Sequence, residues 1–142
     1  HVVDTGKTLS NPEEMSGVFY QRGLVMSMIL AEAIAGAQAE YGTGLINASQ
    51  LRWGLENLDI TEERLEELGM AGMVPPFSTS CANHTGHAGG WVIEWDGERF
   101  NKASDLLTPR VAEYRELLSA SAADYAEANA PWAVNEDCNP ES

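Results

Sequence analysis

The sequence predicts an α/β chain in which helices pack on a small amount of strand. Three observations predict it. A long apolar pattern of helical period runs from a start signal at Asn11 to glycines at 42 and 44. A double proline, Pro75-Pro76, is followed by segments that alternate with a period of two. Asp96-Gly97 separates two such segments as a hairpin turn does.

The elements follow in order. In Asn11-Pro12-Glu13-Glu14 the Asn can cap, Pro suits the first helical position, and the acids favour the positive end of the helix dipole. The helix expected over 13–41 carries Val18, Leu24, Val25, Met28, Ile29 and Ala35. It is apolar nearly all round from Leu24 to Ala37, which predicts a well-buried element and the longest in the chain. Asn47-Ala-Ser-Gln50 has the form of a capping box and opens a helix to about Leu58. Thr61 caps a short acidic helix, Glu62 to Leu68, closed by Gly69. Pro75-Pro76 forces extended chain, Phe77 to Cys81 reads as a strand, and 82–90 as a loop. Trp91 to Trp95 and Glu98 to Lys102 form the hairpin, with Trp91, Ile93 and Trp95 on one face. Thr108-Pro109 caps a last helix whose face is Val111, Leu118, Ala122 and Tyr125, with Tyr114 nearby. Residues 1–142 form one unit, without an internal repeat or a compositional boundary.

Composition restricts function. With 142 residues, 44% hydrophobic and only 8% aromatic, the chain suits one globular unit rather than a disordered one. Eight basic residues against 22 acidic ones give −14, which argues against a nucleic-acid surface or an anionic membrane surface, because both recruit Lys and Arg. No stretch reaches 18 apolar residues, and the longest run, Gly23 to Ala31, is broken by Ser27, so a transmembrane span is ruled out on this reading. The opening at His1 reads as a processed protein or a fragment. Two cysteines, Cys81 and Cys138, fit either one disulfide in an exported protein or two thiols in a cytosolic one.

No catalytic signature is present. GxxxxGK, GxGxxG, HExxH and a serine nucleophile elbow are all missing from the sequence. Cys81-x-x-His84-x-x-His87 is the most metal-like cluster, but it lacks the second close pair of a zinc finger, and no metal is assigned. As a thiol nucleophile with a base, Cys81 lacks a helix N-terminus or a cationic neighbour. Glu62, Glu63, Glu66 and Glu67 cover a solvated helix face beside Arg64. Phe19-Tyr20-Gln21-Arg22-Gly23 is the better candidate. It opens a buried helix where free N–H groups and the dipole can meet a small polar ligand. The structural alternative places Phe19 and Tyr20 in the core and pairs Arg22 with an acid.

Phe19 to Gly23 with the apolar helix after it, Leu51-Arg-Trp-Gly-Leu-Glu-Asn-Leu58, Pro75-Pro-Phe-Ser-Thr-Ser-Cys-Ala-Asn-His84 and Trp95-Asp-Gly-Glu-Arg-Phe100 occur in that order. Together they resemble the late part of type I solute-binding proteins of ABC importers, the leucine/isoleucine/valine-binding group. The resemblance covers roughly residues 11–138. It implies the C-terminal portion of a two-lobed periplasmic-binding-protein fold, without enzymatic activity or cofactor. It also implies a periplasmic protein that closes on a small amino acid or a related carboxylate or amide, with branched-chain amino acids as the default, and delivers it to a membrane permease. Phe19, Tyr20 and Arg22 would touch that ligand. An isolated fragment of this kind would self-associate through its bare helix and open sheet edge. The alternative reading is a self-contained acidic α/β interaction domain without a small ligand. A third is a thiol or zinc enzyme on the Cys81 loop.

Export implies that Cys81 and Cys138 are bonded. The loop so closed holds about 57 residues and contributes roughly 3–4 kcal/mol in the chain-entropy model. Titration of the native, unreduced protein with a thiol reagent is expected to find no reactive group; two would refute the pairing.

Overall fold

In the computed structural model, Met15 and residues 17–86 and 89–129 are described. Helix α1 is Val18–Tyr41, α2 is Ala48–Glu56, β1 is Asp59–Ile60, α3 is Glu62–Glu67 and β2 is Phe77–Ser78. Strands β3 (Ile93–Trp95) and β4 (Phe100–Lys102) and helix α4 (Val111–Ala128) follow. By its internal contacts the chain divides into two compact units, between residues 87 and 88. The architecture is mixed: helix predominates, and the strands form two separate antiparallel ribbons, β1–β2 and β3–β4, rather than one sheet.

The first unit is built on α1. Its 24 residues end where Gly42, at φ 102°, donates its N–H to the Gln38 carbonyl at 2.9 Å. Glycine adopts that conformation without steric cost, so the expected stop lies where it was read. The start differs, with Gly17 as the N-cap and no side-chain cap; Asn11 to Glu14 lie outside the described residues. The all-round burial expected of this helix is also corrected. Of its described residues only Met28, Ala33 and Ala37 are buried, while Val18, Phe19, Met26 and Leu30 are exposed. The exclusion of a membrane-spanning length is corrected with it. α1 is long and apolar enough to cross a membrane by length and composition, because a Ser or Gly within such a helix does not disqualify it.

The buried face of α1 meets α2 at very close range. A Cβ on Gly54 would collide with the Ala33 carbonyl, whose carbon lies 2.9 Å from the ideal Cβ position. At the far end, the Tyr41 and Trp53 rings meet edge to face, 5.5 Å between centroids. α2 opens with the expected capping box. Gln50 N–H donates to Asn47 Oδ1 and Asn47 N–H to Gln50 Oε1, each at 2.9 Å. Beyond α2 the chain turns into β1, which pairs Asp59 with Ser78 and Ile60 with Phe77. Thr61 caps α3 as expected, accepting from Arg64 N–H at 3.1 Å. Leu58, Ile60, Leu65, Met70, Val74 and Phe77 close the core against Met28 and Ala33.

An ion pair fixes α3 on α1. The Arg64 Nε and Nη2 donate to the two carboxylate oxygens of Glu32, both at 2.8 Å, and Nη1 donates to Glu67 at 2.7 Å. This fork-to-fork geometry is among the stronger charged hydrogen bonds. The bonds from Glu32 and then Glu67 raise the Arg64 pKa above its ordinary value. Cys81, just beyond β2, is disulfide-bonded; Cys138 lies outside the described residues.

The second unit contains the hairpin near 91–102 that the sequence predicts, with Ile93 opposite Lys102 and Trp95 opposite Phe100. The turn is longer than the expected two residues. It spans Asp96 to Arg99, because the Asp96 carboxylate accepts from Glu98 N–H at 2.8 Å and Arg99 N–H at 2.9 Å, which makes the wider loop self-supporting. Asn101 also donates to it at 2.6 Å. Trp95 and Phe100 pack at 5.0 Å, and Lys102 Nζ stands 3.8 Å above the Trp91 ring. α4 starts two residues later than expected, with Arg110 as its N-cap and no side-chain cap. Its expected core face is exposed: Leu118, Tyr125 and Tyr114 are all open, and no described residue of this unit is buried.

Two outcomes are expected. Gly54→Ala must push α1 and α2 apart and should lower unfolding free energy by about 1–3 kcal/mol. Gly36→Ala, where a Cβ meets nothing within 4 Å, should raise it by roughly 0.5–1 kcal/mol. Urea titrations of both variants check this, and equal effects would contradict the close approach. The bonds from Arg99 and Glu98, and then from Asn101, hold the Asp96 carboxyl below its ordinary pKa. Its contribution to the hairpin is therefore complete above the unfolded aspartate value and lost as pH falls through the lower folded one. An NMR titration of the carboxyl carbon should show a midpoint below that of an unstructured aspartate.

Candidate functional site

The first unit carries a concavity of 510 Å³ at the C-terminal end of α2. Its apolar wall comes from Ile29 on α1, Leu55 and Leu58 around the end of α2, and Phe77 on β2. The polar part of its rim is Arg52, Glu56, Thr79, His84 and Thr85. Helical spacing places Arg52 and Glu56 one turn apart, with Nε and Oε2 3.5 Å apart. His84 Nε2 approaches the other Glu56 oxygen at 3.2 Å. Glu56 is the most enclosed of the three, its side chain 11% exposed against 37% for Arg52 and 66% for His84. Its carboxylate thus has the Arg52 guanidinium beside one oxygen and the His84 ring beside the other.

Thr79 shapes the wall from within. Its hydroxyl accepts from Leu58 N–H at 3.1 Å and donates to the Leu55 carbonyl at 2.6 Å. Its own N–H donates to the Leu58 carbonyl at 3.0 Å. One side chain thereby joins the end of α2 to the strand that follows Pro76. The concavity is mostly apolar, with one carboxylate already engaged by Arg52 and His84. It suits an apolar group better than a charged one.

The sequence-derived site residues stand elsewhere. Phe19, Tyr20 and Arg22 lie within the first five residues of α1. Phe19 is 86% exposed, Tyr20 half-buried and Arg22 exposed, and none lines this concavity. Their expected contact with a ligand is untouched by this geometry. The Cys81, His84 and His87 cluster is divided, with Cys81 in a disulfide, His84 on Glu56, and His87 outside the described residues. Among the described residues no group of three His, Cys, Asp or Glu side chains could hold a metal ion. The i,i+4 spacing of Arg52 and Glu56 was a signal open to sequence reasoning. The approach of His84 to Glu56 was not, because it depends on how 82–86 folds back.

No family model matches the chain, and no curated protein matches it. One solved structure, described as an ABC transporter permease from the Pseudomonas fluorescens group, superposes on 95% of the chain with a TM-score of 0.78 and 33% sequence identity. The chain spans 33% of that protein's length. This overturns the resemblance to a periplasmic solute-binding protein, together with the importer-receptor function and periplasmic location drawn from it. The similar protein is described as a permease, and α1 meets the length and composition of a membrane span. Capture of a small amino acid has no support in that match. The four stretches, none of them diagnostic alone, did not separate the two.

Thr79→Val keeps the volume of the wall but removes the hydroxyl. Leu58 N–H and the Leu55 carbonyl then lose that partner, at a cost of about 1–3 kcal/mol. Thr79→Ser should recover most of it. Thermal unfolding of the two variants is the measurement, and equal losses would point to packing instead.

Proposed function

We propose that this chain is a segment of a longer membrane-transport component of an ABC system. The match over 95% of the chain to a protein described as an ABC transporter permease carries this reading. The length relation supports it, since the chain corresponds to a third of that protein. So does α1, whose outward residues Val18, Phe19, Met26 and Leu30 would lie within the apolar interior of such a component. In this reading the chain has no catalytic role. The sequence carries no GxxxxGK loop.

The test is made in cells. Deleting the gene that encodes the chain should abolish ATP-dependent uptake of at least one solute in a panel, and the full-length gene should restore it. The full-length protein should sediment with membranes. A protein recovered wholly in the soluble fraction, from cells whose uptake is unchanged across the panel, would refute the reading.

A further inference from the structure

Helix α4 carries an apolar stripe that no described element of its own unit covers. Tyr114, Leu117, Leu118 and Tyr125 fall on one side at helical spacing, and they are 39%, 69%, 60% and 55% exposed. Helices in water draw most of their stability from burying such a face. A stripe of large apolar side chains on a helix whose other faces carry charged, Ser and Ala residues is the mark of a packing surface. The hairpin of the same unit adds to the shortfall, since Ile93, Trp95 and Phe100 are also more than half exposed.

We infer that the α4 stripe docks on an apolar surface of the same longer polypeptide, one edged with Lys or Arg. Charge decides between the possible occupants. α4 carries Glu113, Glu116, Asp124 and Glu127 against Arg115 alone. An anionic lipid surface attracts basic helices and repels this one. A second copy would bring another acidic helix, in a chain of net charge −14, against the first. Polypeptide of the same protein remains, and the similar permease has twice as much chain again beyond the part this one matches, with 33% of its length covered. A basic edge on that surface would complement Glu113 and Asp124. The inference rests on the chain being a segment of a longer protein, and its test needs no transport activity.

Hydroxyl-radical footprinting of the full-length protein is the experiment. Tyr114 and Tyr125 should be modified several-fold more slowly than in the same protein unfolded in denaturant. That protection should hold at concentrations where sedimentation shows a monomer. In the Leu117→Lys, Leu118→Lys double variant, modification of Tyr125 should rise toward the denatured rate. If the variant does not fold, the wild-type footprint decides alone. Three results overturn the inference: tyrosines modified at the denatured rate, protection that appears only on self-association, and protection that appears only when vesicles of anionic phospholipid are added.

Discussion

The near-contact of Gly54 with the Ala33 carbonyl sets the geometry of the first unit. With no side chain between them, the backbones of α1 and α2 can meet directly, and Ala33 and Ala37 become completely buried. The end of α2 is thereby placed where Leu58 and Ile60 can pack on Met28, and where β1 can pair with β2. Thr79 then closes the arrangement by bonding both Leu55 and Leu58. The concavity beside Glu56 is a consequence of that closure, since its walls are the same residues seen from outside the core.

The two units differ in how far they provide for their own stability. The first contains the entire buried apolar cluster, and its short strands are held by side-chain bonds as well as ladder bonds. The second is held by local devices: the Asp96 turn, the Trp95–Phe100 contact, Lys102 over Trp91, and Gly90 and Leu107 exchanging backbone bonds at 3.1 and 2.8 Å. Contacts of that kind order a hairpin but rarely stabilise one alone.

Legibility in the sequence followed the range of each interaction. The Asn47 box, the Thr61 cap and the Gly42 stop were readable because each is decided within four residues. β1 was not, since Asp59 and Ile60 become a strand only through partners at 77 and 78. Burial of α1 was overread because composition reports how apolar a helix is, and not which faces its own chain can cover. In the candidate site, Arg52 and Glu56 share a helix face and could be paired by spacing alone. His84 reaches them only through the fold of a glycine-rich loop. Neither Phe19 nor Tyr20 carries a local signal that distinguishes a ligand contact from a packing surface.

The Glu32–Arg64 fork acts as a phase lock. It lies next in sequence to Ala33, so a single point on α1 is tied both to α2 through backbone contact and to α3 through two parallel bonds. Each residue added to or removed from an α-helix turns everything beyond it by about 100°. A one-residue insertion between Met28 and Glu32 would therefore carry either Met28 out of the core or Glu32 away from Arg64. Between Gly42 and Asn47 the same insertion only lengthens a loop. Changes in chain length among proteins built on this plan are accordingly expected in that loop, while the spacing from Met28 to Ala37 stays fixed even where the side chains vary.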